Sequence, residues 1–390
     1  MLRDSPRPLA VALSGGGDSL ALTLIADAWA RAAGRPLIVL SMDHGLQPQS
    51  RAWLDACAAT AARLGRPFRA LAWAGEKPAS GVPAAARAAR HRLLAEAGRA
   101  MGARVILMGH TADDAAEAQA MRAAGGVTPD PREWAPSPAW PAGRGVFLLR
   151  PLMGVRRAGL RDWLTTRGET WIDDPANDDL RYARARARRA APTPARPRAE
   201  PPLVLAAQAT EAAGVIRLAR AALVDADPAE ARRFVAVAAV CAGGGARPPA
   251  RGRAQRAAEM LRDAGPVVTT LAGARIEADA EQVRIFREPG EARRGGLAPV
   301  AADGEAIVWD GRFDVEAKGH ETRRLAGLIG RLPADQRAAL ARLPPAARGA
   351  LPAWIGEDGS VSCPALTGEA ASLVGERLRA AAGLVVSEPA

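Results

Sequence analysis

The sequence predicts an α/β fold for its first half, a parallel sheet covered by helices, and three observations predict it. Apolar runs of strand length alternate with helical stretches from residue 9 to about residue 108. Three of those runs end in small or polar residues, at Ser14, at Asp43 and at Gly109-His110. Ligands of such sheets bind beyond the carboxyl ends of the strands, so three separate segments point to one region. Beyond residue 190 the pattern changes to a mainly helical middle region and then a small α+β C-terminal part.

Residues 9–13 form a short apolar run of the kind buried on both faces of a parallel sheet. Ser14-Gly15-Gly16-Gly17-Asp18-Ser19 follows, and a helix is expected over 20–33. Consecutive glycines let the backbone turn sharply and bring its N–H groups close to a ligand. The helix start adds unpaired N–H groups and the positive end of its dipole, which together make an anion site suited to phosphate. A tight βα turn alone would explain the glycines. It would not explain Ser14 and Ser19, two hydroxyl donors flanking them, or Asp18, a carboxylate beside an anion site. Asp18 makes sense if Mg²⁺ shares the site with the phosphates. No Gly-Lys-Ser/Thr follows, so this is not a Walker A loop.

The second strand is expected over 36–42, closed by Asp43-His44-Gly45, with a helix over 50–64 and a weaker third strand over 68–73. Residues 82–101 read as a helix that carries Arg87 and Arg90 on one face, and 104–108 as a fourth strand ending at Gly109-His110. The next helix holds Asp113, Asp114, Glu117 and Arg122. Carboxylates near a helix N-terminus suit its dipole; beside a phosphate loop they also suit Mg²⁺ or an ammonium group. Residues 127–144 are rich in Pro and Trp and are expected as a loop, followed by a strand over 147–152 and a helix over 156–167. An acidic turn, Asp173-Asp174 to Asp178-Asp179, then runs into Arg181, Arg184, Arg186, Arg188 and Arg189. That cluster suggests a surface for a phosphate backbone, with a solvated helix face as the plain alternative.

Proline and arginine make 191–202 a semi-rigid linker. Residues 203–261 are Ala-rich and expected to be helical, broken at Gly243-Gly244-Gly245. Residues 267–287 alternate, with a hairpin around Asp279-Ala280-Glu281, which ends a helical region with a β-hairpin over 203–288. A small α+β domain over 289–390 completes the chain, with β character over 308–315, a helix over 325–343 and a hairpin turning at Asp358-Gly359.

Composition narrows the partners. The formal charge is +11, carried almost wholly by Arg, since Lys occurs only at Lys77 and Lys318. That suggests an anionic partner, nucleic acid first, although an Arg- and Ala-rich composition also reflects coding bias. Cys57, Cys241 and Cys363 are far apart and form no disulfide framework or zinc pattern, which fits a reducing cytoplasm. No apolar run is long enough to span a bilayer, and no secretion signal opens the chain. Monomer and homodimer both remain open.

The Ser14–Ser19 segment resembles the pyrophosphate loop (PP-loop) of the N-type ATP pyrophosphatases, which split ATP between its α and β phosphates. Further segments resemble the tRNA(Ile)-lysidine synthetase family: Asp43-His44-Gly45-Leu46 with Ser50 and Arg51, and Ala86-Arg87-Ala88-Ala89-Arg90. To these add Gly109-His110-Thr111-Ala112-Asp113-Asp114 with Glu117, Met121-Arg122, Arg150-Pro151-Leu152, and Asp173-Asp174-Pro175-Ala176-Asn177. Together they cover about residues 9–189; Leu351-Pro352-Ala353-Trp354 and Asp358-Gly359 look like pieces of that family's terminal domain, expected to bind tRNA.

The resemblance implies a ligase that adenylates the wobble cytidine of a CAU-anticodon tRNA(Ile) with ATP and then joins L-lysine to it. It implies that Ser14, Gly15, Gly16, Gly17, Asp18 and Ser19 hold pyrophosphate and Mg²⁺, with Asp43, His44 and His110 bordering ATP. Arg90, Asp114 and Glu117 would surround lysine and the reacting base, with Asp18 sharing the catalysis. Arg122, Arg181, Arg184, Arg186 and Arg188 would meet tRNA. The chain departs from the family pattern at Ala115 and Ala118, at His91 where Tyr is expected, and over Ala123-Ala124-Gly125-Gly126-Val127. A tRNA thiolase on the same domain is the alternative, disfavoured because no two cysteines are paired. An amidotransferase would need a glutaminase nucleophile that is not visible, and a non-catalytic tRNA binder would not need an intact loop.

Overall fold

The computed structural model describes residues 1–2, 5–125, 132–174, 183–190, 201–301, 306–316, 320–356 and 358–388, without the side chains of 183, 184 and 190. Arg181, Asp178, Asp179 and most of the 191–202 linker therefore lie outside the described residues, and of Arg184 only the backbone is described. The chain forms two compact units, Met1–Glu200 with Val385–Ala390, and Pro201–Leu384.

The first unit is built on strands β1 (Leu9–Ala12), β2 (Leu37–Asp43), β3 (Phe68–Ala72), β4 (Val105–Leu107), β5 (Trp134–Pro136) and β6 (Phe147–Leu149). Their order in the sheet is β3-β2-β1-β4-β6-β5. All neighbours are parallel except the edge strand β5, which runs antiparallel to β6. The helices are α1 (Gly17–Ala32), α2 (Ser50–Arg63), α3 (Val82–Ala100), α4 (Ala112–Ala123), α5 (Arg157–Thr166) and α6 (Ala183–Ala190).

Alternation along β1 explains why its run is apolar throughout. Leu9 and Val11 enter one core with Leu22 of α1, Cys57 of α2 and Leu160 of α5, while Ala10 enters the other with Leu94 of α3 and Ile106. The strand order reverses between β1 and β4, so the loop after β1 opens at the topological switch point of the sheet.

Two expectations for this unit change. Helix α1 starts at Gly17, three residues before the expected Leu20, because Gly16 is already extended (φ −70°, ψ 157°) and Leu20 N donates to Gly16 O at 3.0 Å. The Pro-rich stretch expected as loop contains β5, where Pro136 is tolerated at the sheet edge.

The second unit differs more. The stretch 203–261, expected to be helical, carries strands Thr210–Ala212 and Val215–Ala219 between its helices. A turn at Ala213 and Gly214, both at positive φ, joins them, and the second strand pairs with Gln282–Arg287. With Val267–Leu271 and Ala274–Ala278 they complete a five-stranded antiparallel sheet. Helix Pro228–Gly243 buries Phe234 and Val235 in the same core as Ile216 and Ile276. The helix expected over 325–343 shrinks to Ala334–Ala341, since Gly327, Gly330 and Pro333 interrupt its first half. The hairpin at Asp358-Gly359 forms between Pro352–Ile355 and Val361–Ser362.

Candidate active site

The loop between β1 and α1 is shaped by what its glycines leave out. Gly15 has φ +85°, a backbone conformation that calls for glycine, and a Cβ there would have to push aside the tip of the Ile172 side chain. Ile172 N donates to Gly15 O at 3.0 Å, tying residues 171–172 to the loop. A Cβ on Gly109 would stand 3.0 Å from Asp18 O, Ser19 Cα and Ser19 N, so this glycine lets the end of β4 close on the first turn of α1.

Buried Ser19 pins the turn: its Oγ donates to Gly16 O at 2.9 Å and accepts from Ser14 N at 3.2 Å. Exposed Ser14, with its Oγ 3.1 Å from Ser19 Oγ, is the hydroxyl that faces outward. No side chain caps α1, so its first N–H groups stay available to an anion.

Three carboxylates converge beside this loop. Asp18 comes from the first turn of α1, and Asp114 and Glu117 from one face of α4. Thr111 begins α4, giving Asp114 Oδ2 hydrogen bonds of 2.8 Å from both its N and its Oγ1. Arg157, the first residue of α5, bridges all three: Nε lies 2.8 Å from Asp18 Oδ2, Nη1 3.1 Å from Glu117 Oε1 and Nη2 3.4 Å from Asp114 Oδ2. Arg188 of α6 reaches the same Glu117 Oε1 at 2.8 Å.

Burial opposes the charge on Arg157, but Asp114, Asp18 and Glu117 outweigh it and hold its proton more tightly than usual. Burial pushes the Asp18 carboxyl up, against the pull of Arg157. Asp18 Oδ1 is buried and has no hydrogen-bond partner among the described residues, as an oxygen reserved for a cation would be.

Sequence reading gave Arg157 no role. A signal was present: Arg at the first position of a helix opposes the helix dipole and requires an explanation. The explanation is the three carboxylates that its guanidinium holds, while Asp113 secures the helix start, its Oδ2 accepting from Arg157 N at 2.8 Å and its carboxylate pairing with Arg156 at 3.1 Å. Burial alone would raise the Asp113 carboxyl; those contacts hold it low.

A cationic sector adjoins the acids. His110 follows β4, and its Nδ1 accepts from buried Arg150 Nε at 3.1 Å, which leaves the ring proton on Nε2. Arg150, quoted in the sequence without a role, also donates to Arg132 O at 2.7 Å. Asp43 Oδ1 accepts from Gly45 N at 2.7 Å, fixing the turn that carries His44. Burial first, and Arg90 of α3 second, push the His44 imidazole down. Arg122 lies in the last turn of α4, and Arg186 and Arg189 are exposed on α6.

His91 sits under this sector, 4% exposed, and neither ring nitrogen has a hydrogen-bond partner among the described residues. Burial, with Arg90, Arg87 and Arg150 nearby, pushes its imidazole down to about 2. A folded-state value below the ordinary 6.5 means that the unfolded chain takes up a proton the folded chain refuses. Stability is therefore complete above 6.5 and is lost as pH falls from there towards about 2, by about 1.4 kcal/mol per pH unit. Urea unfolding at about pH 7.5 and about pH 5.5 checks this: His91→Phe should lose about 1.4 kcal/mol less than the wild type between them. Equal losses would mean that His91 protonates in the folded protein.

Fold and site define a nucleotide-using domain with an open anion loop beside three converging carboxylates, and a family model described as a PP-loop domain matches residues 2–193. A tRNA(Ile)-lysidine synthase of Caulobacter vibrioides is 50% identical over 401 residues, covering 98% of this chain and 95% of that protein. One of Rhizobium meliloti is 36% identical, over 84% of this chain and 77% of that protein. The chain belongs to the tRNA(Ile)-lysidine synthase family. Cys57, Cys241 and Cys363 are each buried and unpaired, and no described helix is long and apolar enough to cross a membrane.

Proposed function

We propose that this chain converts the wobble cytidine of a CAU-anticodon tRNA(Ile) to lysidine, using ATP and L-lysine. The observation that carries the reading is the meeting of an open helix N-terminus with three carboxylates, an anion site and a cation site in contact. In the first step the cytidine carbonyl oxygen bonds to the α-phosphorus of ATP and pyrophosphate leaves. In the second, the lysine amine bonds to the ring carbon that bears this oxygen and gives up a proton, the carbon–oxygen bond breaks and AMP leaves with the oxygen.

The first-turn N–H groups of α1 and the Ser14 hydroxyl bind the departing pyrophosphate. His110, Asp43 and His44 border the nucleotide, with the His110 ring oriented by Arg150. Arg90 faces charge developing at the reacting base. Asp114 and Glu117 hold the lysine ammonium. Asp18 Oδ1 would hold a Mg²⁺, and such an ion would neutralise charge on the phosphates.

On the tRNA side, Arg122 and the exposed Arg186 and Arg189 of α6 are the phosphate contacts, together with the C-terminal domain, whereas Arg188, expected there from the sequence, is held by Glu117. Changing exposed Arg186 and Arg189 to Ala should weaken binding alike across tRNA sequences and lower the salt slope by about two, at about 0.9 per phosphate. An unchanged slope would remove both from the interface. The reading as a whole is tested by incubating the protein with ATP, labelled lysine and CAU-anticodon tRNA(Ile), then analysing nucleosides. Labelled lysidine is expected; label in no nucleoside would refute it.

A further inference from the structure

Lysine is expected to bring its ammonium to Asp114 and Glu117, yet those carboxylates are already occupied by a cation of the chain itself. Glu117 is 2% exposed, and its Oε1 accepts from Arg157 Nη1 at 3.1 Å and Arg188 Nε at 2.8 Å. Arg157 also reaches Asp114 and Asp18, so one guanidinium neutralises carboxylates from two helices. Like charges this close and this buried need a counter-cation whenever substrate is absent. A guanidinium suits that purpose: it is always charged, weakly hydrated and offers its donors in a planar fork.

An ammonium is a compact point charge with three donors, and an oxygen already accepting two guanidinium N–H groups has no lone pair left for it. We infer that Arg157 is a resident placeholder for the substrate amine, which lysine displaces from Glu117 and Asp114 on entering the site. The idea rests on the lysidine reading given above. It implies that the site stays ordered and electrically balanced before substrate arrives. It also implies that an amino acid with an uncharged side chain gains little there, because it cannot replace the cation it would displace.

The test is lysine binding by calorimetry to wild type, Arg157→Ala and Arg157→Lys, each with ATP present. Arg157→Ala should melt at a lower temperature without ligand but bind lysine about fivefold more tightly, the size of losing one screened competing ion pair. Guanidinium chloride at millimolar concentration should restore its melting temperature and weaken its lysine binding, with neither effect on the wild type. Arg157→Lys keeps a cation and should fold even where the Ala variant does not, binding lysine with intermediate affinity. Lysine binding that is unchanged or weaker in the folded variants, or insensitive to guanidinium, overturns the inference and leaves Arg157 a purely structural tie. Lysidine formation by the wild type, measured alongside, separates that outcome from a failure of the functional reading.

Discussion

Asp18→Asn should lower pyrophosphate release by about a thousandfold or more, the scale on which enzymes lose a charged partner of transferring phosphates. The two oxygens of Asp18 have different surroundings. Oδ2 accepts from Arg157 Nε at 2.8 Å, whereas Oδ1 is buried beside the loop with no partner among the described residues. Burial disfavours the charge, and Arg157 is what sustains it. An Asn amide keeps the shape and can still accept from Arg157 through its oxygen, so the fold should persist while the cation ligand is lost. Thermal melting and pyrophosphate release measured on one preparation check this. Release at the wild-type rate from a folded variant would detach Asp18 from the phosphate chemistry.

Glu117→Gln should act on the other substrate. Its carboxylate is the most buried of the three and holds both Arg157 and Arg188. Removing the charge leaves two guanidinium groups facing a neutral amide, so a stability loss of about 3 kcal/mol is expected, as when one partner of a buried pair is removed. The KM for lysine should rise about a hundredfold, the loss of one desolvated charge contact, with the KM for ATP nearly unchanged. Steady-state kinetics in lysine and in ATP separate the two. A rise confined to ATP would assign Glu117 to the phosphate side with Asp18.

The anion loop was legible in the sequence because all its parts are local. Strand, glycines and helix start lie within about twenty residues, and Asp43 and His110 declare themselves at strand ends. Arg157 was not legible because its meaning comes from Asp18, 139 positions earlier, and Glu117, 40 positions earlier. Its place at a helix start, against the dipole, was the only local sign. His91 likewise reads as an ordinary helix residue until burial strips its nitrogens of partners.

In the second unit, Ala-rich composition predicted helix across Thr210–Ala212 and Val215–Ala219. What decides those strands is pairing with Gln282–Arg287 and a turn in which Ala213 takes φ +48°, neither of which propensity reports. Over 325–343 the glycines and Pro333 were visible but were outweighed by the surrounding leucines and alanines.

The central claim is that one site cleaves ATP at the α-phosphorus and passes the activated base to an amine. It is tested most directly by following ATP labelled at the α-phosphate, with CAU-anticodon tRNA(Ile), before and after lysine is added. Without lysine, pyrophosphate should appear and the label should become attached to tRNA. On adding lysine, the label should leave as AMP, one for each lysine incorporated. Formation of ADP and phosphate, or AMP release with no label ever on tRNA and no lysine joined to it, would contradict the account.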